Sequence, residues 1–264
     1  MTGPSAAALS AAFWRELAAN RLNRFLHVHL SLALAAGLLP LFTATDAAEA
    51  APWWVLHAVL YCLSLSALLL GLNSAHGESD EFPLLFAQPA PRWAWLVGKA
   101  GGLAALLVPA ALLLIAPAAM AGGLTTRLIA VAAAAGGLSL ALAAVGLGLG
   151  FWARDRVRGL LAALGVWFVL LFGTDLLLLA VAGAPWVHRN PGLWVATLMV
   201  NPLDALRVTV LFGIEQAAPA GLDAGDLAGW WIANGGLWLV LLLASWTSAG
   251  LAAGLAGARR SLDA

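Results

Sequence analysis

Apolar residues fall in long runs along this chain, and polar residues gather between them. Six runs come close to or pass 20 residues: Phe25 to Phe42, Trp53 to Leu72, Ala100 to Ala121, Leu128 to Ala153, Leu160 to Gly183 and Gly229 to Ala256. About 20 apolar residues in a helix cross the hydrocarbon core of a bilayer, so each run predicts a membrane-spanning helix. The segment from Ala184 to Ala228 holds two shorter apolar stretches, Leu193 to Val200 and Leu203 to Ile214. Each is too short to cross, and the pair predicts re-entrant or interfacial helices on the outer face. Before the first span, Leu9, Phe13 and Leu17 recur every four residues, with Trp14 beside them and Arg15 opposite. That spacing predicts an amphipathic elbow helix on the inner leaflet, with a short frayed helix as the alternative, since Glu16 and Asn20 blur the apolar edge.

These elements make an all-α membrane protein of six transmembrane helices. Its expected parts are a cytoplasmic elbow (1–24), a transmembrane domain (25–256) and a cytoplasmic tail (257–264). The transmembrane domain contains a cytoplasmic loop at 73–99 and a periplasmic segment at 184–228. Asn201-Pro202-Leu203-Asp204 has the signature of a helix start, with Asn as cap, Pro in the first turn and Asp near free amides, and it opens the short helix that carries Arg207.

Composition makes the membrane reading firmer. Of 264 residues, 62% are hydrophobic and 10% charged, against about 25% charged in an ordinary soluble domain. A water-soluble enzyme surface cannot be built from that inventory. Net charge is zero, which favours no nucleic-acid partner, so the placement of the charges carries the information. With the N-terminus inside, Arg15, Arg21, Arg24, Arg92, Lys99, Arg154, Arg156, Arg158, Arg259 and Arg260 lie on the cytoplasmic side, and Arg127, Arg189 and Arg207 outside. Ten against three orients both termini to the cytoplasm of a bacterial inner membrane. Residues 1–20 lack the order of a cleavable signal, so the N-terminus is expected to be retained.

Catalytic patterns are sparse. There is no His-Glu-x-x-His, no Cys-x-x-Cys and no phosphate-binding Gly-x-x-x-x-Gly-Lys-Ser/Thr loop. Ser139 follows Gly137 and Leu138 in the fourth span, but the last two spans hold no histidine to activate it, so it is expected to pack. His27 and His29 lie two apart, on different helix faces, and His57 with Tyr61 suits an interfacial anchor better than a ligand pair. No metal site is expected. Asp175, after Thr174, is the one carboxylate well inside a span; it either lines a pathway or outer gate or locks helices together. The loop from Gly77 places Glu78, Asp80 and Glu81 ahead of Phe82 and a turn bounded by Pro83, Pro89 and Pro91, then reaches Arg92. Carboxylates that steer and a Phe that anchors suit docking onto a cytoplasmic protein; an ordinary solvated loop is the plainer alternative. Arg154, Arg156 and Arg158 are placed to touch the same partner.

The elbow, the acidic loop with its Pro-x-x-Arg before Gly98-Lys99, and the paired short helices resemble type-2 ABC exporter permeases. Within these, Gly165-Val166-Trp167-Phe168, Asp175-Leu176 and Asn201-Pro-Leu-Asp-Ala-Leu-Arg207 resemble the NosY-type permeases, membrane subunits of NosDFY complexes, over nearly the whole chain. The resemblance implies a homodimer with two cytoplasmic ABC ATPase subunits, NosF-like, that bind ATP and Mg, and a periplasmic copper-handling partner, NosD-like. It implies a role in maturing the copper centres of nitrous oxide reductase, with no cofactor or catalytic site on this chain. Glu78 matches the family's acidic position, and Pro89 and Arg92 its Pro-x-x-Arg; Asp80 and Glu81 stand where the family carries Gly-Thr. On that reading Glu78, Asp80, Glu81, Phe82, Pro89, Arg92, Arg154 and Arg156 couple to the ATPases, and Asp175, Asn201, Asp204 and Arg207 form the pathway or gate. Gly146 and Gly150, with Gly136, Ser139 and Ala143, make a small-residue face that suits either a dimer seam or packing within one chain.

Overall fold

The computed structural model describes residues 4–43, 47–78, 81, 91–153, 155–181, 183–215 and 225–260, and among these every regular element is helical. Among the described residues six helices are long and apolar enough to cross a membrane: Arg24–Phe42, Pro52–His76, Arg92–Gly122, Thr126–Trp152, Arg156–Val181 and Leu227–Arg259. They are the six expected spans. Their ends differ from expectation where a charge interrupts an apolar run but not a helix. The third span starts at Arg92 rather than Ala100, after Pro91 in an extended conformation, and carries Lys99 inside it. Residues 73–76 and 92–99, expected as loop, are thus helical.

Two spans contain a π-helical turn, Val59–Leu63 in the second and Val169–Gly173 in the fifth. Such turns misalign the backbone ladder and leave carbonyls in need of other partners. The fifth span starts where Asp155 caps it, its carboxylate accepting from Arg158 N at 2.8 Å; Thr125 does the same for the fourth span through Leu128 N.

The second and fourth spans form the centre, with 67% and 56% of an apolar 18-residue stretch of each buried in the bundle, against 11% for the fifth. The small-residue face of the fourth span explains how. A Cβ on Gly146 would collide with the backbone of Leu68, and one on Gly150 would lie 2.5 Å from the Ala75 side chain. This face therefore packs the fourth span onto the second within one chain. On the other side Gly148 meets Gly250 of the sixth span, where a Cβ would lie 2.6 Å from the Gly250 oxygen.

The elbow helix forms as one element, Pro4–Asn20, and it packs on the bundle through its small and polar face. Leu9 and Trp14 are exposed, at 36% and 66%, while Ala12, Glu16 and Asn20 are buried against the third span. The stripe of small and polar residues wins because Gly98 and Gly102 let the two backbones approach: a Cβ on Gly98 would strike the Leu9 carbonyl, and one on Gly102 would lie 2.7 Å from Glu16 Cβ. At the far end of the bundle a short helix, Pro185–Arg189, precedes Pro191–Val200 and Pro202–Glu215. The last two bend by 108° at Asn201, which fits the expected re-entrant pair.

Candidate functional site

Two polar clusters lie at opposite ends of the bundle, and both hold together elements that the sequence separates. The first is at the elbow end. Helical spacing puts Glu16 and Asn20 on one face, and the glycines of the third span bring that face onto Lys99. The Lys99 ammonium pairs with Glu16 Oε2 and lies 3.0 Å from Glu78 Oε2. It also sits 5.7 Å from the centre of the Trp95 ring. The other Glu16 oxygen accepts from Ser74 Oγ and from Asn20 Nδ2, the latter at 2.6 Å. Arg15 reaches Glu78 Oε1 at 3.4 Å and pairs with Glu81. Asn20 in turn accepts from Asn23, whose Oδ1 accepts from Phe25 N at 2.9 Å.

The result is a continuous polar chain. It runs from Glu81 and Glu78, where the chain leaves the second span, through Arg15, Lys99 and Glu16 of the elbow and third span, to the first turn of the first span. Lys99 and Glu16 are 2% and 1% exposed, so their charges survive burial only as partners. On the neighbouring side His76 Nε2 lies 2.6 Å from the Ala153 carbonyl, and a Cβ on Gly159 would press on its ring. His76, at the end of the second span, therefore meets the end of the fourth span and the first turn of the fifth.

The second cluster is at the far end. Asn201 Oδ1 accepts from Leu203 N at 3.0 Å, the capping role its sequence position predicts. Its Nδ2 donates to Leu170 O at 2.6 Å, Thr174 Oγ1 at 2.9 Å and Asp204 Oδ2 at 2.7 Å. Leu170 lies in the π turn of the fifth span, so Asn201 takes up a carbonyl within that turn. Arg207 holds Asp175 through two bonds, 3.0 and 3.2 Å, and reaches Asp204 at 2.8 Å. Asp175, left open between gate and lock, thus has a partner: it ties the bent helix pair to the fifth span.

Sequence reasoning singled out all four residues of the far cluster, and the structure brings Asp175, Asn201, Asp204 and Arg207 together. At the elbow end it singled out Glu78 and Glu81 but placed Glu78 among solvated steering carboxylates, whereas the side chain is 8% exposed and faces Lys99. Asp80, Phe82, Pro89 and Arg154 lie outside the described residues. Arg92 opens the third span and Arg156 the fifth, where Arg156 is exposed. Glu16 and Lys99 were missed as site residues; a carboxylate and an amine each set among small residues on a helix face were the available signal.

The remaining candidate ligands are apart. His29 bonds Ser66 Oγ at 2.7 Å inside the bundle, and His57 stacks on Tyr61. Among the described residues no three of His, Cys, Asp and Glu gather as a metal site.

No protein-family model matches the chain. A curated relative does: the chain is 30% identical over 206 residues, 73% of each protein, to "Probable ABC transporter permease protein NosY" of Pseudomonas aeruginosa. With six apolar spans, an elbow helix and a bent pair before the last span, this chain belongs to the family of ABC transporter permeases that includes NosY.

Proposed function

We propose that this permease subunit transmits the ATP-driven movement of two cytoplasmic NosF-like ATPases, which hold ATP and Mg, into a homodimer of this chain in the bacterial inner membrane. Both termini face the cytoplasm, and a NosD-like copper-handling protein meets the periplasmic side. The machine serves maturation of the copper centres of nitrous oxide reductase, and this chain supplies no catalytic site of its own. The named relative supports the Nos assignment, and the excess of basic residues at the elbow side supports the orientation.

The observation that carries the coupling role is the buried Glu16–Lys99–Glu78 triad. It anchors the first residues of the 77–91 loop to the elbow and to the third span, so a push on the loop is delivered to rigid helices and not absorbed by a flexible connection. Glu81, Asp80 and Phe82 then provide the docking surface, with Pro89, Arg92, Arg154 and Arg156 flanking it.

The test separates docking from transmission. Glu81→Lys with Phe82→Ala is expected to lower recovery of the ATPase with the permease by at least tenfold, the loss of an anchor worth about 2 kcal/mol. Paired replacement of Glu16 and Lys99 by Gln and Met is expected to keep ATPase binding but abolish copper-site maturation. Full maturation in the second variant would sink the transmission role. Maturation that persists with a hydrolysis-dead ATPase would point instead to a membrane scaffold, and an export phenotype without copper-enzyme loss to a general exporter of lipid, peptide or drug.

A further inference from the structure

Between the outward-splayed halves of the fourth and sixth spans, and beside the helix Pro202–Glu215, lies a cavity of about 710 Å³. Its origin is in the sequence. Below it, Gly148 and Gly250 draw the two spans into backbone contact; above it, Ala130, Ala134 and Gly137 face Gly236 and Leu239 with too little side chain to fill the space. The polar residues deeper in the groove are already satisfied: Thr247 donates to Leu243 O and Ser248 to Ala244 O, both at about 2.7–2.8 Å. The interior is therefore apolar.

The mouth differs. Arg127 lines it, is exposed, and has no carboxylate within 4 Å among the described residues. The positive end of the dipole of helix Thr126–Trp152 lies at the same place. Just below, Thr209, which lines the cavity, has its Oγ1 buried without a hydrogen-bond partner; it closes on Gly235, whose Cβ position would be 3.5 Å from Thr209 Oγ1. Because Gly137 faces Leu243 on these parallel helices, Gly235 lies within about one turn, ~5 Å, of the level of Arg127. A buried donor left unpaired is costly, so this spot is built for an acceptor.

We propose that the groove binds one anionic phospholipid from the leaflet opposite the elbow helix. Its phosphate pairs with Arg127, an ester carbonyl accepts from Thr209 Oγ1 on the cavity wall, and one acyl chain lies along the Ala130–Gly137 wall. An apolar recess of this kind does not hold water stably, and the fluid beside it in a membrane is lipid. A second protein helix, about 10 Å across, is too wide for a wedge whose walls touch at Gly148 and Gly250. The lipid fixes the bent helix pair against the sixth span, since Thr209 belongs to that pair and Gly236, Leu239 and Val240 to the span.

The test uses the assembled complex reconstituted in vesicles of phosphatidylcholine and phosphatidylglycerol in equal amounts, extracted and analysed by native mass spectrometry. The expected result is selective retention of phosphatidylglycerol, reduced about fivefold by Arg127→Gln, the effect of one interfacial cation. Ala134→Leu, which fills the recess, should remove retention of either lipid while the thermal melting of the complex is kept. Equal enrichment in wild type and Arg127→Gln overturns the proposal. So does undiminished lipid in Ala134→Leu, or a photocrosslinker at Ala130 that captures protein and not lipid.

Discussion

Lys99 shows what one side chain does here. Its ammonium is enclosed, and its position is tolerable only because two carboxylates, Glu16 and Glu78, lie against it. Lys99→Ala leaves both carboxylates near an uncompensated site, and removal of one partner from a buried pair costs about 3–5 kcal/mol. The expected outcome is a marked fall in the yield and melting temperature of the purified permease, with much of the loss recovered when Glu16 is made Leu at the same time. Recovery by the double change would show that the ion pair, rather than the volume of Lys99, matters. Asp175 behaves differently. It is 46% exposed beside Arg207 at 32%, and in Asp175→Asn the guanidinium keeps its second carboxylate, Asp204 at 2.8 Å. Asp175→Asn is therefore expected to leave insertion, and recovery of the proposed dimer, intact. On the proposed role in copper-site maturation, reduced turnover in that variant marks a gate residue, and unchanged turnover a lock.

At the scale of elements, the joints matter more than the spans. Asn201 sits at the 108° bend and serves two elements at once, capping the helix that starts at Pro202 and accepting the task of satisfying Leu170 O in the fifth span. Asn201→Ala loses a cap and strands a buried carbonyl, which together cost about 2 kcal/mol or more. Limited proteolysis should show this as faster cutting between the fifth and sixth spans, with the elbow end unaffected. At that other end the glycines of the third span set the contact with the elbow helix. Gly98→Leu cannot be accommodated beside the Leu9 carbonyl and is expected to release the elbow, read as a gain of cysteine labelling at position 12 in an Ala12→Cys background. No gain would mean that the elbow is held by Lys99 alone.

For the whole molecule, orientation is the first thing to test. Cysteines placed at positions 46 and 223 should label from outside and those at 80 and 156 only after the membrane is opened, as the basic-residue asymmetry requires. A reversed pattern would move the buried triad to the periplasmic side and end the coupling proposal, while leaving the lipid groove in place on the opposite leaflet.

The number and type of spans were legible in the sequence because a bilayer imposes one rule, about 20 apolar residues per crossing, that needs no knowledge of neighbours. The Asn201 cap was legible because its donor, Leu203 N, lies two residues away, whereas its bonds to Leu170 and Thr174 of the fifth span were not. Asp175 and Arg207 were visible as rare charges, but not as a pair, because the distance between them is set by a bend of 108°. Which face of the elbow helix packs on the bundle was not legible. Apolar periodicity identifies the face that prefers to leave water, whereas Gly98 and Gly102 offer a backbone close enough for Glu16 to reach a buried ammonium. Small residues on the fourth span were equally ambiguous until Leu68, Ala75 and Gly250 were seen across from them. Sequence alone thus determined what the solvent dictates: a six-span helical protein and its local caps. Only the tertiary structure decided which charges meet and which glycines touch, because those depend on helices brought together from distant parts of the chain.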